Sequence, residues 1–254
     1  MKFRQLPVLL ALSACLIVAS PIFAADDAEA EEDRWVTKWS NGFKIEKGDE
    51  FKFKFGGRIM ADYTFADADE EIEATYGAEN FENGFEFRRA RVFVEGEFYE
   101  RFKFKAQYEF SGGAEIRDLY IALGLNHGDL RFGHYKEYFS LEELTSSKYL
   151  AFLERSLPVQ AFAPAFNSGI GTHGSSGDTF NWGVGAFYDS DEFGVSTSED
   201  NVNLTGRVGF RPLYENGGER LVHLGLGVHH RNREDSIRVR ARPEAHLSTQ
   251  LVAT

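Results

Sequence analysis

From Phe51 onward, apolar and polar residues alternate with a period of two. In FKFKFGGRIMADYTF the odd positions Phe51, Phe53, Phe55, Ile59, Ala61, Tyr63 and Phe65 form one face, while Lys52, Lys54, Arg58, Asp62 and Thr64 form the other. This alternation outlasts the about 5 to 6 residues of a globular strand and is long enough to cross a bilayer when tilted. It recurs after a gap. Ala90, Val92, Val94, Gly96 and Phe98 alternate with Arg89, Arg91, Phe93, Glu95 and Glu97; past a turn at 99–101, Phe102, Phe104, Ala106, Tyr108 and Phe110 alternate with Lys103, Lys105, Gln107 and Glu109. Such a pair predicts a two-faced hairpin. Further strands are predicted over 117–125, 129–135, 166–173, 180–188, 201–211 and 221–231, nine in all. Pro158, Pro164, Pro212 and Pro243 fall outside these predicted cores, as the loss of a ladder donor requires.

The predicted connections alternate in length. Those at 99–101, 126–128, 174–179 and 212–220 belong to one side, and 66–84, 111–116, 137–165 and 189–200 to the other, where only 111–116 is short. Short turns on one side and long loops on the other describe an outer-membrane barrel. The expected fold is therefore all-β, a transmembrane antiparallel β-barrel occupying 51–254, with 137–165 as its third outside loop. That loop is expected to fold inward, because Phe139, Leu141, Leu144, Tyr149, Leu150 and Phe152 are too apolar for one projecting into water. A soluble β-sandwich also alternates, but its exposed face would not carry an aromatic row in almost every strand. An open nine-stranded sheet would leave unpaired backbone groups in hydrocarbon. The chain also stops at LVAT rather than on an aromatic closing strand, so it is expected to be the N-terminal part of a longer barrel.

The N-terminus supplies the compartment. Lys2 and Arg4 precede an apolar stretch over 6–18, followed by Ala24 and Ala25, the layout of a signal peptide over 1–24. Cys15, the one cysteine, sits in LSAC, which also reads as a lipoprotein box. Cleavage there would leave an apolar 16–23 at the new N-terminus, whereas the later site removes it. Neither reading leaves a thiol pair for a disulfide. Residues 25–50 are expected to be an acidic periplasmic leader, its 26–33 part disordered. Beyond the signal no stretch reaches the about 18 apolar residues of a helical span. Aromatic residues make up 15% of a chain whose mean hydropathy is −0.36, a combination that follows when each strand turns one row to lipid and the next to water.

The net charge of −12 suggests cation preference, but the location of the acids reverses the inference. Eighteen of the 40 acids lie in 26–33, 66–84 and 189–200, segments with no Lys or Arg; without these acids and the two signal-peptide cations, the remainder carries +4. A basic lumen beneath acidic outside loops is expected, with low-dielectric walls focusing the field on a permeating ion. Arg89 and Arg91 share the predicted lumen face with Arg58, Lys103 and Lys105. By parity they should matter more than Arg88, unless a bulge between Phe87 and Ala90 turns both adjacent arginines inward. Arginine forks suit phosphate oxygens and stay charged. Glu95, Glu97 and Glu109 share that face, so an ordinary solvated lining is an equal reading.

The runs FRRARVFVEG, RDLYIALG, LRFGHYKEYFSLEELTSSKYLAFLERSLP and RVRARPEAH resemble the phosphate-selective porin O and P family of Gram-negative outer membranes. The likeness begins near Phe51. The resemblance implies a homotrimeric, 16-stranded barrel in outer-membrane lipid that takes up phosphate or polyphosphate. It matches Arg88 and Arg89 to the family's paired arginines, and Ser146, Ser147 and Lys148 to its loop serines and lysine. Glu142, Glu143 and Glu154 depart from a purely cationic loop.

Enzyme motifs are lacking: there is no GxSxG, HExxH, P-loop or GxGxxG. His229 and His230 point to opposite faces of a strand and cannot share a metal, and the Arg238, Arg240 and Arg242 series reads either as an anion-collecting rim or as a solvated loop. The expected function is passive diffusion of anions without cofactor, catalysis or nucleic-acid partner. The alternatives are a general or weakly selective porin, or a structural or interaction barrel with a blocked lumen.

Overall fold

The computed structural model describes residues 34–77, 83–196, 202–231, 239–242, 246–247 and 252–253. The signal peptide, the 26–33 segment, Pro243 and Arg238 lie outside the described residues. Eleven strands follow one another in a single sheet, each antiparallel to the next: β1 (Trp35–Trp39), β2 (Phe43–Lys47), β3 (Phe51–Thr64), β4 (Gly84–Phe98), β5 (Phe102–Glu109), β6 (Glu115–Leu125), β7 (Gly128–Lys136), β8 (Phe166–Ser176), β9 (Phe180–Tyr188), β10 (Val202–Glu215) and β11 (Arg220–His230). Two residues of β12 (Arg240–Ala241) pair with β13 (Val252–Ala253). Among the described residues three short α-helices lie in the connections, α1 (Glu70–Tyr76), α2 (Leu141–Leu144) and α3 (Leu157–Phe162), with a 3-10 turn at Asn216–Gly218.

The alternating stretches all become strands, and among the described residues the structure adds two more to the large sheet, β1 and β2, besides the separate β12–β13 pair. The expected leader over 25–50 does not extend through 35–47, which forms the β1–β2 hairpin and pairs through Phe43↔Phe55 onto β3. Its alternation is weak in the sequence because each strand has only five residues and carries Lys38, Lys44 and Lys47 among its aromatics. The hairpin adds a connection at 40–42, so among the described residues 137–165 is the fourth connection on the long-loop side, one more than the alternation alone counts. Pro212 lies inside β10 rather than beyond it. It sits where the β10–β11 register shifts between Phe210 and Leu213, a bulge that tolerates a missing N–H.

The two faces of the sheet invert the order of a water-soluble protein. Ile59 is 74% exposed, Phe132 62% and Leu226 66%, whereas Glu137 and Asn203 are fully buried and Thr205 nearly so. Burying a side chain such as Ile or Phe is worth about 1.5–3 kcal/mol, and no second sheet covers the apolar face among the described residues. That arrangement excludes a sandwich and suits hydrocarbon on the apolar side. The largest buried apolar side chains, Tyr135, Tyr138 and Phe187, form a small cluster with ring centroids 5.2 to 6.2 Å apart.

The turn between β4 and β5 is tight and strained. Tyr99 and Glu100 both have left-handed backbones, with φ of 52° and 54°, and Arg101 N–H donates to Phe98 O at 3.1 Å. Left-handed backbone costs a non-glycine residue about 1–2 kcal/mol, against about 0.5–1 kcal/mol of extra chain entropy for glycine. Glu100→Gly is therefore expected to stabilise the full-length protein by up to about 1 kcal/mol, and Glu100→Val to destabilise it. Urea unfolding in detergent measures both; a lower midpoint for the glycine variant would contradict the turn geometry.

Candidate functional site

The connection 137–165 lies against the polar face of the sheet and encloses with it a cavity of about 900 Å³. Its root is anchored by two side chains. Glu137, fully buried, accepts from Asn167 Nδ2 at 2.6 Å and from Thr205 Oγ1, with His229 Nε2 at 3.4 Å. Tyr138 places its ring over glycines of β8 and β9: a Cβ at Gly183 would meet it at 2.8 Å and one at Gly171 at 2.7 Å. Its hydroxyl lies 3.2 Å from His173 Nδ1. Farther along, Arg155 gathers the segment onto itself, donating to the carbonyls of Glu142 at 3.1 Å, Glu143 at 3.2 Å and Thr145 at 2.8 Å. Glu142 bonds Ser156 through both backbone N–H and hydroxyl, each at 2.8 Å.

A β-bulge brings the paired arginines together. Met60 faces Arg89 and Ala61 faces Phe87, so Arg88 is the extra residue in β4. Parity changes across it: Phe85 and Phe87 face outward before it, Val92 after it. Arg88 and Arg89 consequently both point to the polar side, where one carboxylate of the connection meets them. Glu154 Oε1 lies 3.0 Å from Arg88 Nη1 and 2.6 Å from Arg89 Nη2, while Arg88 Nε reaches Asp62 at 2.5 Å. Burial would raise the Glu154 carboxyl, but Arg89 and Arg88 outweigh it and hold it below the usual carboxylate range.

Arg58, Arg88, Arg89, Arg91, Lys105, Ser146, Ser147 and Lys148 all line this cavity. Lys103 does not; it stands nearer the β4–β5 turn, bound to Asp129 at 2.9 Å. Arg91 pairs with Glu109, which also accepts from Ala90 N–H at 2.6 Å and Ser111 Oγ at 2.8 Å. Lys105 pairs with Asp118 at 2.9 Å. Arg58 differs from these. Its Nη1 donates to Ser146 Oγ at 3.0 Å, no carboxylate bridges it among the described residues, and its Nε, like Ser147 Oγ, is buried without a hydrogen-bond partner there.

Arg117, Arg131, Lys136, Arg155 and Arg242 also line the cavity. Arg117 is the extra residue of a second bulge, between Gln107↔Asp118 and Tyr108↔Ile116, so strict alternation conceals it. Of the series 238–242, Arg242 reaches the cavity while Arg240 is exposed and outside its lining. His229 and His230 do face opposite ways, one partly buried beside Glu137 and the other exposed.

The sequence profile of the family described as phosphate-selective porin O and P matches residues 53–254. The chain belongs to that family. It is 27% identical over 220 residues to Porin O of Pseudomonas aeruginosa, covering 79% of this chain and 47% of that protein. An uncharacterized protein of Caulobacter vibrioides is 27% identical over 239 residues, covering 85% and 45% of the two chains. The chain thus spans about half the length of the curated relatives it matches. For a member of this porin family, the eleven strands are a stretch of β-barrel wall with its polar face inward.

In this porin-family wall, Glu154 bridges the paired arginines and, with Asp62, balances their charge. Glu154→Gln in the full-length protein is expected to free Arg89, leave Arg88 paired with Asp62 alone, and shift the reversal potential in a salt gradient toward anions. The shift should persist at pH 5, because Glu154, held below the ordinary carboxylate value of about 4.3, is still ionised there in the wild type. Identical reversal potentials for variant and wild type at pH 7 would contradict the pairing.

Proposed function

We propose that the chain forms part of an outer-membrane pore that passes anions by diffusion, phosphate or polyphosphate among them, with the connection 137–165 as its constriction. The carrying observation is the composition of the cavity, lined by twelve Lys and Arg side chains against seven carboxylates. Part of the surplus is Arg58, whose guanidinium donates to the Ser146 hydroxyl instead of an acid. A tetrahedral oxyanion accepts hydrogen bonds from a guanidinium fork and from serine hydroxyls, replacing its water shell. Arg58, Ser146, Ser147 and Lys148 supply such donors from two sides, the strand and the connection. Arg88 and Arg89, held by Glu154, contribute field and position more than open donors. Lipid around the apolar face and a homotrimeric assembly belong to the same proposal, the first supported by the exposed aromatic and aliphatic rows and the second by family membership.

A weakly selective porin is the second reading, favoured by the pairing of Arg91, Lys105 and Lys136 with Glu109, Asp118 and Glu143. Planar-bilayer recording on the full-length protein separates the two. Arg58→Glu is expected to weaken phosphate block of the chloride current strongly and to move the reversal potential toward cations, with a smaller change from Lys103→Glu, whose ammonium is already matched by Asp129. If Arg58→Glu leaves block and selectivity unchanged, the weakly selective reading stands. Folded protein that conducts nothing would instead indicate a closed interaction barrel.

A further inference from the structure

We infer that the anion site beside Arg58 accepts organic anions in which the phosphate or carboxylate is attached to a flat ring, with Tyr149 as the surface on which the ring rests. This rests on the anion-pore reading and narrows its substrate class. Tyr149 follows Ser146, Ser147 and Lys148 directly, lines the same cavity and is 68% exposed. Lys148 Nζ stands 5.8 Å from its ring centroid, so one residue offers an ammonium and the next an open aromatic face within a single ligand's span.

The wall opposite repeats the combination. Lys54 stands 5.7 Å from the Phe93 ring, Arg117 5.5 Å and Lys136 5.3 Å from Phe166, and Arg131 4.1 Å from Tyr120. All of these residues line the cavity. Arg131 has no carboxylate partner among the described residues, and its Nε is buried without a hydrogen-bond partner there. A small hydrated oxyanion needs the cations alone; it draws little from a ring face, whose quadrupole is negative. A cation beside an aromatic face matches an anion carried on an aromatic body, since one end takes the charge and the other stacks. Glu143 and Glu154 also line the cavity, but each is already bridged by two basic side chains, so neither presents a bare carboxylate to the ligand.

Block of the chloride current through the full-length protein by orthophosphate, methyl phosphate and phenyl phosphate at pH 8 tests this, because the two esters carry the same charge. Phenyl phosphate is expected to half-block at a concentration about three- to tenfold below methyl phosphate, the range of one aromatic stacking contact. Tyr149→Leu should bring that ratio close to one, and Tyr149→Trp should keep it. Equal block by the two esters in the wild type, or a ratio unmoved by Tyr149→Leu, would overturn this inference while leaving the anion pore standing. If none of the three phosphates blocks, the pore reading fails and the inference falls with it.

Discussion

A sheet whose apolar face has no second sheet against it among the described residues is matched to hydrocarbon on that side, and this constraint gathers the charges of the described strands on the other face. With one row of each strand apolar, lysines, arginines and carboxylates share the other face, where neighbouring strands stand about 4.8 Å apart. Charges at that spacing must pair, be solvated or meet a ligand. Most pair across the ladder: Lys105 with Asp118, Arg91 with Glu109, Lys103 with Asp129. The connection 137–165 exploits what remains, bringing Glu154 to the two arginines that the β4 bulge places side by side.

The connection is held at both ends by different physics. At its root a buried carboxylate and a tyrosine seated on glycines fix the point of entry, through Glu137 and Tyr138. At its far end the attraction is ionic, through Glu154 and the arginine pair. Between them Arg155 satisfies three carbonyls that a short helix leaves open. This division leaves 146–149 presented to the cavity, hydroxyls and ammonium first and a ring after them. The proposed selectivity follows from the cations left unmatched by an acid, and Arg58 is one of them because its partner in the connection is Ser146.

Much of this was legible in the alternation. Odd positions of β3 do face outward, and eight of the nine expected site residues do line one cavity. What escaped has physical reasons. Five-residue strands such as β1 and β2 are too short for a period of two to stand out against interleaved lysines. A bulge adds one residue and reverses parity, so Arg117 could not be placed by counting, and Arg88 could be placed only conditionally. The pairing of Glu154 with Arg88 spans 66 positions in the chain; it depends on the path of the connection, which local patterning does not encode. Lys103 has the expected parity and stands nearer the turn, outside the cavity lining and paired with Asp129, since alternation fixes the face of a residue but not which acid stands opposite it.

Glu154 sits between the paired arginines on the polar face. Cysteines introduced together as Arg89→Cys and Glu154→Cys in the full-length protein, in native membranes, test this with a short bifunctional thiol reagent. An intramolecular cross-link in high yield is expected, together with slow labelling of the Glu154→Cys thiol by bulky impermeant reagents added from outside. No cross-link, with rapid labelling of that thiol from outside, would contradict it.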